Sequence, residues 1–110
     1  MIFDKDGNIT IITQERATVP QLVQRLQESY PKFKNDNVIV NLNSLKDVGL
    51  QDIVEFLQIS NDHRRTKRSF VIVSDKANID ETPDEIVVVP TLQEAYDIIE
   101  MEEMERDLEI

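Results

Sequence analysis

The sequence predicts a single α/β domain on a mixed β-sheet, with the element order ββαβαβ(turn)βα. Three observations carry this expectation. Short apolar runs rich in β-branched residues recur, at Val38-Ile39-Val40, Phe70-Val71-Ile72-Val73 and Ile86-Val87-Val88-Val89, as in strands covered by packed layers. Segments with apolar residues at helical spacing separate these runs, an alternation that builds parallel strands joined by helices. The first residues instead form two strand candidates around Asp6-Gly7, which makes the sheet antiparallel at its start. A sheet of about four to five strands follows.

Ile2 to Lys5 and Asn8 to Ile12 are the hairpin strands, and Gly7 supplies the positive φ that their turn requires. Period-two alternation sets Phe3, Ile9 and Ile11 on one face and the lysine and threonines on the other, with Ile12 breaking the pattern. Thr18-Val19-Pro20-Gln21 then reads as a helix start. Thr18 can accept from early backbone N–H groups, Gln21 occupies the reciprocal capping-box position, and Pro20 costs little in the first turn. Leu22, Val23, Leu26 and Tyr30 form the buried stripe, and Pro31 ends the helix.

The chain is organised around residues 37 to 57. Val38, Ile39, Val40 and Leu42 form the central strand, followed by a polar turn through Asn43, Ser44, Lys46 and Asp47. Leu50, Ile53, Val54 and Leu57 then recur at i, i+3, i+4, i+7 as the buried stripe of a helix that frays between Ile59 and Thr66. Ser69 to Ser74 is the next strand. The acidic loop from Asp75 to Glu85 holds one helical turn over Ala77 to Ile79, and Ile86 to Val89 is the last strand. Thr91 and Glu94 form a capping box that opens the final helix, with Leu92, Ala95, Tyr96 and Ile99 as its buried face. Ile98, Met101, Met104 and Leu108 recur on another side, a second stripe to be covered by the domain body or another molecule.

Residues 1–110 are expected to form one domain, with an acidic helical extension over about residues 100–110. A chain of 110 residues buries roughly two-thirds of its unfolded surface, enough for a core without staples. Cysteine is absent, which removes disulfides and thiol chemistry and suits a reducing compartment. No continuous hydrophobic block opens the chain, so neither a signal peptide nor a membrane span is expected, and localisation is expected to be cytoplasmic.

The net charge is −10, of which −7 falls on residues 92 to 110, where eight acids face Arg106 alone. Such a chain is repelled by phosphate backbones unless a separate basic patch intervenes. One basic run exists, His63, Arg64, Arg65, Lys67 and Arg68, and it reads as the complement to a helix carboxyl end. No aromatic stacking platform accompanies it, so nucleic acid is not the expected partner.

Catalytic constellations are missing. His63 is the only histidine, and two glycines build no phosphate-cradling loop. No catalytic residue, metal or cofactor is expected, and the chain reads as a non-enzymatic binding module. Sites in α/β sheets lie beyond the carboxyl ends of strands. The candidate partner surface is therefore Asn43, Ser44, Asp47, Val48, Gly49 and Leu50, with the run Arg64, Arg65, Lys67 and Arg68 as a second patch. Asp47 and Asp52 act there as charge complements of a helix amino end.

This order and two short motifs carry a resemblance. Asn41-Leu42-Asn43 ends the central strand and Asp47-Val48-Gly49-Leu50 opens the following helix. In this the chain resembles the STAS domain of anti-sigma-factor antagonists and sulphate transporters. The resemblance covers nearly the whole chain in architecture. It implies a mixed-sheet fold and regulation by contact with a protein partner. In regulatory members a serine after the motif's aspartate is phosphorylated by a partner kinase, which releases the partner. Here Val48 and Gly49 follow Asp47 in a shorter loop, with no hydroxyl, so the resemblance implies contact without a phosphoswitch. Ser44 is read as a turn or cap residue.

The ending, from Val88 to Leu108, is also similar to short bacterial proteins labelled ribonuclease Z. That activity needs a histidine-rich metal motif, which one histidine cannot supply, so an accessory role in RNA processing is what this likeness implies. Self-association, basic helix end against acidic tail, is the third expectation. It would need apolar contact from Ile98, Met101 and Leu108, because exposed ion pairs contribute only about 0–1 kcal/mol each.

Overall fold

A computed structural model describes residues 1–15 and 18–108. Strand β3 (Asn37–Asn41) lies at the centre of a five-stranded sheet of order β1-β2-β3-β4-β5. Strands β1 (Ile2–Asp6) and β2 (Ile9–Thr13) pair antiparallel. Strands β3, β4 (Phe70–Val73) and β5 (Val87–Val89) continue in parallel. The hairpin turns at Gly7, whose φ of 59° is open to glycine without steric cost.

The hairpin register corrects one expectation. Phe3 pairs with Ile12 and Asp4 with Ile11, so Phe3 shares the face of Ile12 and packs near Phe33, with ring centroids 6.2 Å apart. Ile9 and Ile11 point to the opposite face. Ile12, which seemed to break the alternation, is fully buried, and β1 is exposed throughout because it is an edge strand.

Alternation along the central strands divides the core in two. Val38, Val40, Ile72 and Val88 join Leu22, Leu26, Ile53 and Phe56 on one face. Ile39, Val71 and Val73 meet Ala95 and Ile99 on the other. Helix α1 (Val19–Ser29) starts as its sequence prescribes: the Gln21 N–H donates to Thr18 Oγ1 and the Gln21 side chain accepts from the Thr18 N–H. Its α-helical run ends at Ser29, and Tyr30–Lys32 forms one 3₁₀ turn around Pro31.

The second helix is two helices. α2 (Leu50–Val54) and α3 (Leu57–Arg64) are separated at Glu55-Phe56, where the Phe56 N–H reaches back only to Ile53. This tightening turns Phe56 into the core, so the buried stripe is Ile53, Phe56, Ile59 and His63. The expected stripe fails at Leu50 and Val54, which are 40% and 37% exposed. The short turn in the acidic loop lies at Ile79–Glu81, slightly beyond the predicted Ala77 to Ile79, where the Asp80 N–H is held by Asn78 Oδ1.

Helix α4 (Leu92–Leu108) covers the second face, its start capped by Thr91 Oγ1 accepting from the Glu94 N–H. The acidic extension continues this helix through Leu108, while Glu109 and Ile110 lie outside the described residues. Among the described residues, no helix is long and apolar enough to cross a membrane.

Candidate functional site

The turn after β3 is built from the inside out. Leu42 is fully buried and its carbonyl accepts from the Leu45 N–H at 3.0 Å. Asn43 spends both ends of its amide on scaffold. Its Nδ2 donates to the Pro90 carbonyl at 3.2 Å, and its Oδ1 accepts from the Asp75 N–H at 2.8 Å. One side chain thus ties the turn to the segments that leave β4 and β5. The Lys76 ammonium adds a bond to the Asn43 carbonyl at 3.3 Å.

Beyond Asn43 the chain runs over the surface, with Ser44, Lys46 and Asp47 exposed. Val48 dips back and joins the core cluster with only 5% exposure. Of the six residues expected in partner contact, Val48 is buried in the core cluster and Asn43 is half-buried with its amide occupied. Gly49 is exposed and extended, and its N–H donates to Asp52 Oδ2 at 3.0 Å. Asp52 therefore holds the entry to α2, in keeping with its expected role at that helix end. Leu50 and Val54, one turn apart, then present apolar side chains outward. A depression of about 320 Å³ lies between the turn and the start of α1, lined by Thr18, Val19, Leu45, Lys46, Asp47 and Asp52. The exposed surface is thus Ser44, Lys46, Asp47 and Gly49 with the Leu50/Val54 pair.

The basic run sits at the opposite pole, by the amino ends of the parallel strands, and each residue in it has a local task. His63 is fully buried between Tyr30 Oη, 2.7 Å from Nδ1, and the Asp36 carbonyl, 2.8 Å from Nε2. A carbonyl can only accept, so Nε2 carries the proton and Nδ1 accepts from the tyrosine hydroxyl. Burial pushes the imidazole pKa down, and Arg68 and Arg64 act in the same direction. The Asp36 backbone bond and its carboxylate oppose them. The same geometry leaves Tyr30 above its ordinary pKa, chiefly through burial.

Arg64 donates to Glu102 at 3.1 Å and to the Phe70 carbonyl at 3.1 Å, and Arg65 pairs with Asp62 at 2.9 Å. Lys67 takes a φ of 67° where the chain leaves α3, and Arg68 donates to the Thr66 carbonyl. The run lies at and just beyond the carboxyl end of α3, whose last carbonyls accept from the backbone N–H groups of Arg65, Thr66 and Lys67.

Arg64 also shows what sequence reasoning missed. The acidic end of α4 is clamped to the sheet through a polar network. Ser69 Oγ donates to Glu102 at 2.5 Å, and Asn37 Nδ2 donates to Glu103 at 2.6 Å. Arg106 donates to Ser69 Oγ and Asn37 Oδ1 at 3.2 and 3.3 Å. Within eight acids, nothing in the local pattern singled out Glu102 and Glu103 as inward. Only their spacing from Ala95 and Ile99 on the buried face carried that signal.

No protein-family model and no curated protein matches the sequence. Solved structures do. One chain, from the "Molecular architecture of the stressosome, a signal integration and transduction hub", matches at 12% sequence identity with a TM-score of 0.58, over 90% of this chain and 96% of that one. At that identity the likeness speaks to fold. The antiparallel hairpin, the parallel strands that follow and the flanking helices make this a STAS-like mixed α/β fold.

Proposed function

We propose that the protein is a non-catalytic regulatory module that binds a protein partner in the cytoplasm through the turn after β3 and the outer face of α2. The observation that carries this reading is the exposure of Leu50 and Val54, 40% and 37%, at positions where helical periodicity calls for core residues. An apolar pair beside Asp47 and Lys46, at the carboxyl ends of the parallel strands, has the composition of a small contact surface: an apolar centre with a polar rim. The fold likeness to a chain of a signal integration and transduction hub supports a signalling context.

Contact is the proposed mode of action. Val48 fills the position where the STAS resemblance expects a phosphorylated serine, and its side chain is buried rather than offered to a kinase. Val48 and Gly49 supply no hydroxyl. The partner therefore recognises a standing surface whose shape is held by Asn43, Val48 and Asp52.

A pull-down from the source organism tests this, using wild type beside Asp47→Lys and Leu50→Glu. A partner retained by wild type and lost from both variants is the expected result. Partners recovered equally by all three proteins would remove the assignment.

A further inference from the structure

Helix α4 meets the sheet with Ala95, Ile99, Glu102 and Arg106. Its opposite side carries three large apolar residues at i, i+3, i+7: Met101, Met104 and Leu108, with exposures of 51%, 59% and 85%. A solvated helix face ordinarily holds charged and polar residues, so an apolar stripe there needs a cover.

Charge defines that cover. Glu100 and Asp107 lie on one side of the stripe and Glu105 on the other, and Glu94 and Asp97 stand in line with it toward the helix start, all exposed. A surface helix usually places lysine or arginine four residues from its acids, and like charges at that spacing destabilise it. Here the single base of α4, Arg106, is turned inward onto Ser69 and Asn37. The outer acids therefore repel one another without a base on their own helix. A second copy of this face would bring five acids against five. The basic end of α3 is also committed within its own chain, since Arg64 already pairs with Glu102 and Arg65 with Asp62.

From the stripe and its rim together we infer that the outer face of α4 docks a basic amphipathic helix of a partner protein. Apolar side chains of the incoming helix pack on Met101, Met104 and Leu108, while lysines or arginines on both its flanks meet the acidic rim. Methionine suits this use, because its flexible, polarisable side chain adapts to different partner shapes. The face lies across the sheet from Leu50 and Val54, so this surface is independent of the turn.

The probe is a synthetic 18-residue peptide with leucines at helical i, i+3, i+4, i+7 spacing and flanking lysines. Its control is a peptide of the same composition in scrambled order. Fluorescence anisotropy is measured with wild type and with Met101→Gln/Met104→Gln, at low and moderate salt. Wild type is expected to bind the patterned peptide at least tenfold more tightly than the scrambled one. The double variant, with its helicity unchanged by circular dichroism, is expected to bind both equally, at the level set by charge. Affinity of every pair should weaken with salt. Equal binding of the two peptides by wild type would overturn the inference, as would a preference that survives in the double variant. A concentration-dependent doubling of mass that disappears in the double variant would assign the face to a second copy instead.

Discussion

His63 offers the most direct test of how α3, the end of α1 and the entry to β3 are held together. Its imidazole is fully buried, with one nitrogen on Tyr30 Oη and the other on the Asp36 carbonyl. The neutral tautomer satisfies both bonds, and a second proton would have to enter the core against the hydroxyl that now donates to Nδ1. The folded-state pKa therefore lies below the ordinary value, chiefly because of burial. For a base this sign means that its contribution is fully present above the unfolded pKa of about 6.5 and is lost as pH falls. Below that value the unfolded chain takes up a proton that the folded chain refuses, at a cost of up to about 1.4 kcal/mol per pH unit. The loss levels off once the depressed folded pKa is reached.

The comparison variant is His63→Gln, which gives up ring packing and one hydrogen bond and should cost about 1–3 kcal/mol at pH 7.5. Urea unfolding of both proteins at pH 7.5, 6.5 and 5.5 reads the effect. Relief of acidic repulsion at lower pH affects both proteins alike, so the difference between them isolates the imidazole. Because the unfolded imidazole is already half protonated at pH 6.5, that difference should shrink by at most about 1 kcal/mol between pH 6.5 and 5.5. A constant difference, or an imidazole that titrates at or above its ordinary pKa by NMR, would show that His63 is not held neutral by burial.

Three further outcomes are expected. Phe56→Ala should cost about 3–5 kcal/mol in urea unfolding, whereas Leu50→Ala, six residues earlier and exposed, should stay within about 0.5 kcal/mol; similar costs would restore the continuous helical stripe. Asn43→Ala should lose about 1–3 kcal/mol by leaving the Pro90 carbonyl and the Asp75 N–H without their partner, and a neutral result would show that the turn does not depend on this tie. Titration with tRNA at low salt should show no saturable binding, because Arg64 and Arg65 are already paired with Glu102 and Asp62. Tight binding that weakens with salt and with charge removal at Arg64, Arg65, Lys67 and Arg68 would revive an RNA-processing role.

The sheet was legible because its signals are local. A glycine between two alternating runs, a Thr-to-Gln capping box and three β-branched strands each prescribe one element without reference to the others. The break at Phe56 was not legible. Leu50, Ile53, Val54 and Leu57 satisfy helical spacing, and only the competition between them and Phe56 for the same core space decides which face turns inward. Phe3 failed for a related reason: the alternation within β1 is clear, but which face it joins depends on the register with Ile12.

At the candidate site, the turn's place in the fold followed from the strand and helix around it. The division of labour within it did not. Val48 and Leu50 are both apolar and two residues apart, and the sequence alone does not say that one anchors the turn while the other faces outward. The clamp of Glu102, Glu103 and Arg106 was hidden more deeply, since its partners Asn37 and Ser69 lie far away along the chain.

On the proposed reading, the turn after β3 and the exposed pair on α2 form the partner-binding surface. With the partner captured by the wild-type protein in hand, isothermal titration calorimetry on four proteins tests it most directly: wild type, Asp47→Lys, Leu50→Glu, and Lys67→Asn/Arg68→Gln at the opposite pole. Asp47→Lys and Leu50→Glu should bind at least tenfold more weakly, while the Lys67/Arg68 variant matches wild type. Equal affinities for all four, or a loss confined to the Lys67/Arg68 variant, would contradict it.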